Sequence, residues 1–135
     1  MTEPRVLDTL AEPARLAEVT QFVREHCGAP PGRDLNELDL IIEELFLNIA
    51  IHACPGKPVR VACSVKEPGT AEVEFTYGGP AFDPTTDAPE PDLTAPLADR
   101  PIGGLGVFLV RQMAESLDFE CDDGINHLTA RVRFT

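Results

Sequence analysis

Apolar residues recur along the chain at two different periods, and the change from one to the other marks out its elements. Leu38, Ile41, Ile42, Leu45, Ile49 and Ala53 follow a helical period, as do Leu16, Val19, Phe22 and Val23, so two helices are expected to turn an apolar face to a core. The first is predicted over Glu12 to Cys27, ended by Gly28-Ala29-Pro30-Pro31-Gly32. The second is predicted from near Asp34 to about Ala53, ended by Pro55-Gly56-Lys57-Pro58, since proline and glycine interrupt a helix. Period two then takes over. Val59, Val61, Cys63 and Val65 alternate with polar neighbours, and Val73, Phe75 and Tyr77 alternate with Glu72, Glu74 and Thr76. With Glu67-Pro68-Gly69-Thr70 between them, these runs read as a hairpin buried on one face.

A short first strand is predicted over Arg5 to Leu10. Two last strands are predicted around Asp118 to Cys121 and His127 to Phe134, turning at Asp122-Asp123-Gly124; Leu128, Ala130, Val132 and Phe134 form the buried face of the final one. Between hairpin and last strands, Gly78 to Ile102 carries Pro80, Pro84, Pro89, Pro91, Pro96 and Pro101. Such a segment cannot hold a long helix or a central strand, and a loop of this length in a small domain is expected to be a lid or binding loop, or to lack order. A third helix is predicted from Gly103-Gly104-Leu105-Gly106 to about Leu117. The order of elements implies an α+β fold of two layers, about three helices packed on one face of a mixed, mainly antiparallel sheet.

At 135 residues the chain suits a single domain over 1–135, with the lid at about 80–103. The formal charge of -12 argues against direct contact with nucleic acid or an anionic membrane and would favour a basic partner. The alternative is that the acidity only keeps the domain soluble. No apolar run approaches a membrane span and Met1-Thr2-Glu3-Pro4-Arg5 leads into no secretory segment, so a cytoplasmic location is expected. Cys27, Cys54, Cys63 and Cys121 are scattered without a CxxC pair, which gives little support to a disulfide framework or a zinc site.

The second helix carries the candidate chemistry. Within Glu43-Glu44-Leu45-Phe46-Leu47-Asn48, Glu44 and Asn48 are one turn apart and share a face at the edge of the core. An unpaired polar group there costs about 1–3 kcal/mol, so a polar partner is expected, a metal ion with a phosphate being one candidate. A solvated acid and an amide bonded to backbone are the alternative. Gly103, Gly104 and Gly106 at a helix start could present backbone amides to a phosphate, or merely let the chain turn tightly. Neither a P-loop nor a dinucleotide fingerprint is present.

Taken together, the acid-to-asparagine helix, the Gly78-Gly79-Pro80-Ala81-Phe82-Asp83-Pro84 turn after a strand, and the stretch Pro101-Ile102-Gly103-Gly104-Leu105-Gly106-Val107-Phe108-Leu109-Val110 resemble the GHKL, or Bergerat-fold, ATPases. Within that superfamily the chain is similar to the small bacterial anti-sigma factor serine/threonine kinases. The resemblance runs from the first helix to Phe134. It implies a fold that holds ATP with Mg2+ between sheet, long helix and lid, and a protein kinase that regulates transcription by switching between a sigma factor and an anti-anti-sigma protein of the STAS type. It further implies that Asn48 ligates magnesium, that Glu44 is the general base towards the acceptor hydroxyl, and that Gly79 lies under the adenine. By the same resemblance, Gly104 and Gly106, with Gly103 and Leu105, would be the lid residues near the phosphates. Arg100 is placed to offer a cation to the terminal phosphate, and homodimerisation through the sheet is expected by resemblance alone.

One position departs from the pattern. Similar proteins carry an aspartate whose carboxylate accepts a hydrogen bond from the adenine amino group, where this chain has Tyr77-Gly78-Gly79. The phenol is a poorer acceptor. Its ring could fill part of the adenine pocket, stack on a base or turn its hydroxyl to the ring edge. Two readings therefore stay open: an ATP-dependent kinase, and a non-enzymatic regulatory binding protein with a degenerate nucleotide site. A histidine-kinase fragment is less apt, since the sequence shows no dimerisation helices with a phosphoacceptor histidine; His52 reads as structural, or as a neighbour of Asn48.

Overall fold

A computed structural model of the chain describes residues 3–87 and 110–133. Strand β1 (Arg5–Leu10) is followed by a 3-10 turn (Pro13–Arg15), helix α1 (Leu16–His26) and helix α2 (Asn36–Asn48), which passes into a π-helical turn over Ile49–Ala53. Then come β2 (Pro58–Glu67), β3 (Thr70–Gly78), a single helical turn α3 (Pro84–Asp87), β4 (Ser116–Asp122) and β5 (Ile125–Arg133). Residues 110–113 are also helical. The strands form one five-stranded sheet in the order β1-β2-β3-β5-β4, and every pairing among the described residues is antiparallel.

Strand alternation puts Val59, Val61 and Cys63, Val73, Phe75 and Tyr77, and Leu128, Ala130 and Val132 on the buried face. Helices supply the other half of the core: Val19 and Val23 from α1, Leu38, Ile41, Ile42, Leu45 and Phe46 from α2, and Ile49 from the π-helical turn. Asp8, Arg60, Thr76, His127 and Glu120, linked through consecutive strand pairings, occupy the opposite face and are exposed or half-buried. The architecture is thus two layers, helices against one side of the sheet, as the periodicities imply. Arg24 donates to both carboxylate oxygens of Asp39 through Nε and Nη2 and ties α1 to α2. Gly28 ends the first helix at φ 75, and a Cβ there would fall 2.5 Å from a methyl of Val65, so conformation and space both require glycine.

One helix ends where expected but with altered hydrogen bonding, and another ends early. The long helix continues to Ala53 but changes its hydrogen bonding: the Cys54 N–H reaches back to the Ile49 carbonyl at 3.1 Å, a five-residue step that widens the last turn just beyond Asn48. The third helix stops short of Leu117. There the chain is already strand, because the Glu115 N–H bonds the Arg131 carbonyl at 2.8 Å and Leu117 pairs with Ala130 against the core. Ladder formation on β5 outcompetes the last helical turn. The predicted start of that helix at Gly103-Gly104-Leu105-Gly106, Arg100, most of the predicted lid and Phe134 lie outside the described residues. Asp123, at φ 54, and Gly124, at φ 80, make the two-residue connection of the last hairpin.

Candidate functional site

Helix α2 brings Glu44 and Asn48 to the margin of the core, one turn apart as their spacing requires. Asn48 is 1% exposed, and its Nδ2 donates to the Glu44 backbone carbonyl at 2.7 Å. That bond fixes the amide and leaves Oδ1 as its acceptor end. Asn48 Oδ1 and Glu44 Oε2 are both buried and neither has a hydrogen-bond partner among the described residues. Such atoms cost free energy and call for an explanation in a native structure. Burial, and secondarily the neighbouring Glu43 carboxylate, raises the Glu44 pKa above the ordinary glutamate range, the direction that suits a carboxylate meant to take up a proton. A neutral amide oxygen beside a carboxylate is a donor set for a hard cation, so these residues fit magnesium carrying phosphate oxygens.

The strand end behaves in the opposite way. Tyr77 faces Asn126 across the β3–β5 pairing, and they are 1% and 0% exposed respectively. The Tyr77 hydroxyl donates to the Phe82 carbonyl at 2.6 Å. Asn126 Nδ2 donates to the carbonyls of Tyr77, Gly79 and Pro80 at 3.1, 3.3 and 3.3 Å, and its Oδ1 accepts from the Phe82 N–H at 3.1 Å. These two side chains therefore hold residues 79–82 in place. Phe82 in turn stacks on His52, centroids 6.2 Å apart and planes at 22°. His52 stands one turn beyond Asn48, so the stack joins the strand-end loop to the π-helical end of the long helix. The Tyr77 ring is packed in the core, and its hydroxyl is taken by the Phe82 carbonyl. The residues here do not fit the role of a carboxylate accepting from an adenine amino group.

An open pocket of about 650 Å³ lies between these parts, within the size range of small-molecule sites. Its lining comes from Ala53, Cys54 and the turn carrying Lys57 on one side, and from Gly78, Gly79 and Pro80 on the other. Glu44, Asn48 and Tyr77 do not line it. Among the described residues, Gly79 is the one sequence-predicted site residue that does; its φ of 111 selects glycine, although a Cβ there would meet nothing within 4 Å. Arg100, Gly103, Gly104, Leu105 and Gly106 lie outside the described residues.

Asn126, Phe82 and Lys57 escaped the sequence reading. A signal for Asn126 was available: it shares the parity of Leu128, Ala130 and Val132 on the apolar face of β5, where an amide is out of place unless it bonds backbone. The His52–Phe82 stack joins elements 30 residues apart and has no local signature.

Residues 9–132 match the family model described as histidine kinase-like ATPase domain. The chain is also 34% identical over 94 residues to the serine/threonine-protein kinase BtrW of Bordetella bronchiseptica, an alignment covering 68% of this chain and 66% of that protein. It thus spans just under two thirds of the relative's length. Among the described residues no helix is long and apolar enough to cross a membrane. With its antiparallel sheet covered on one face by helices and the family match running over nearly all of its length, the chain belongs to the histidine kinase-like ATPases of the GHKL type.

Proposed function

We propose that this protein is a nucleotide-dependent serine/threonine kinase of the anti-sigma factor type. The observation that carries this reading is the pair of buried, unpartnered oxygens, Glu44 Oε2 and Asn48 Oδ1, on one face of α2. The kinase named among its relatives and the sequence resemblance to anti-sigma kinases support the same direction. Its cofactors in this reading are ATP and Mg2+, and its partners a sigma factor and an anti-anti-sigma protein between which it switches. The charge of -12 suits a partner that offers a basic contact surface.

Magnesium nucleotide, when bound, supplies the phosphoryl group and the charge neutralisation that transfer requires. Asn48, its amide fixed through Nδ2, would hold the metal through Oδ1. Glu44 stands one turn earlier with a raised proton affinity and accepts the proton of the incoming serine or threonine hydroxyl at an oxygen that no protein donor occupies. The stack of His52 on Phe82 holds the loop after β3 against the same helix, so helix and loop keep their spacing. Gly79, and the lid residues Arg100, Gly103, Gly104, Leu105 and Gly106, are assigned to the nucleotide by resemblance. The test is incubation of protein, magnesium ATP and the cognate anti-anti-sigma partner: phosphoprotein should form with wild type and fail to form with Glu44→Ala. Absence of transfer to a partner of verified binding would refute the kinase reading.

A second reading, a non-enzymatic regulator that keeps the partner surface, draws on Tyr77, whose hydroxyl is committed to Phe82. Tight magnesium-dependent nucleotide binding in titration calorimetry excludes it.

A further inference from the structure

The two halves of the site disagree. Glu44 and Asn48 keep oxygens without partners for a metal and phosphates, whereas Tyr77 and Asn126 direct hydrogen bonds to the backbone of the loop at the strand end. The pocket of about 650 Å³ beside that loop begins at Ala53, five residues past Asn48, or roughly 7 Å along a helix axis. A base attached to a phosphate chain held at Asn48 has this pocket within reach. Among the described residues that line it, no side chain is a carboxylate, an amide or a hydroxyl; Lys57 carries the one charge, and the Cys54 thiol, held protonated by burial, is the other polar group. The described walls are otherwise alanine, proline and glycine. They offer a flat base apolar contact and, through Lys57, a hydrogen-bond donor.

That combination discriminates between purines in a definite sense. An ammonium group donates and cannot accept. Against adenine it meets an exocyclic amino donor next to N7, whereas guanine and hypoxanthine present O6 and N7 as adjacent acceptors, the pair that lysine commonly bonds. We propose that the base end of this site is built for a 6-oxopurine, with Lys57 as the donor to its O6 edge, so that GTP and ITP bind at least as tightly as ATP. The proposal rests on the nucleotide reading of Glu44 and Asn48 given above and names the base that this site takes. Tyr77 and Asn126 act in it as positioning residues, holding Gly79 and Pro80 as one wall of the pocket through the bonds to their carbonyls.

ITP is the decisive probe because it exchanges the 6-amino group of ATP for an oxygen and alters little else. Titration calorimetry of the whole protein with ATP, ITP and GTP, each in excess magnesium, is expected to give ITP and GTP dissociation constants equal to or below that of ATP. Lys57→Met, at a solvent-exposed position, is expected to weaken ITP about tenfold relative to ATP, as loss of a charged hydrogen bond does. ATP binding threefold or more tighter than ITP overturns the proposal and leaves the kinase reading standing. An ITP-to-ATP ratio unchanged by Lys57→Met also overturns it. Failure of all three nucleotides to bind overturns both.

Discussion

The hydroxyl of Tyr77 donates a 2.6 Å hydrogen bond to the backbone carbonyl of Phe82, five residues on and across the turn that follows β3. The side chain is a donor to the protein's own backbone. Asn126, its partner across the strands, completes the arrangement by bonding both sides of the same loop. Tyr77 and Asn126 should therefore behave as stability residues. Tyr77→Phe is expected to lower stability by about 1 kcal/mol, the net value of one hydrogen bond, or roughly 4 °C in Tm. Asn126→Ala should cost more, about 2–4 kcal/mol, because it strips several buried backbone groups of their partner at once. Denaturant unfolding with unchanged slope reads both differences; equal effects of the two substitutions would contradict the assignment of Asn126 as the main clamp.

Glu44 should show the reverse behaviour. Its pKa in the folded protein lies above the unfolded value, because burial and then Glu43 disfavour the charged form. The native state thus holds the proton more firmly, and by linkage stability falls as pH rises from the ordinary glutamate pKa through the raised folded one. Below that window the penalty is absent; above it the penalty is complete. Glu44→Gln removes the charge and should stabilise the ligand-free protein at pH 7 by about 1 kcal/mol, with the gain vanishing near pH 4 in thermal melts. A Glu44→Gln protein less stable than wild type at pH 7 would mean that the carboxylate already has a favourable partner.

Cysteine reactivity gives an independent check on the packing. Burial pushes the Cys63 thiol up to about 12 and also raises that of Cys54, while Cys27 is buried as well and Cys121 is exposed. Thiolates are the reactive species, so a thiol reagent at pH 8 should label Cys121 quickly and the other cysteines only as the protein opens. Mass mapping of the first labelled site decides this. Rapid labelling of Cys63 would place β2 outside the core.

Much of this fold was legible because its elements bury regular stripes. The period-two runs through Val61 and Phe75, and the helical run through Ile41, Ile42 and Leu45, each state which face is apolar, and those residues are fully buried. The end of the third helix was harder to read. Apolar residues near Leu117 suit a helix and a strand equally, and the choice falls to the distant partner Ala130, which local periodicity does not register. At the site, Glu44 and Asn48 announced themselves by interrupting an apolar helix at one-turn spacing. The bonding of Tyr77 was not legible, because its partner is a main-chain carbonyl whose position depends on Asn126. Backbone acceptors have no sequence signature.

Whether the unpartnered oxygens of α2 bind a metal–phosphate ligand is tested most directly by calorimetric titration of ATP into wild-type protein, with magnesium and then with EDTA, and into Asn48→Ala with magnesium. Binding to wild type should require magnesium and should weaken at least tenfold in Asn48→Ala, about 1.4 kcal/mol, with the variant shown folded by its melting curve. Binding of equal strength in EDTA, or undiminished binding by a folded Asn48→Ala, would contradict the account.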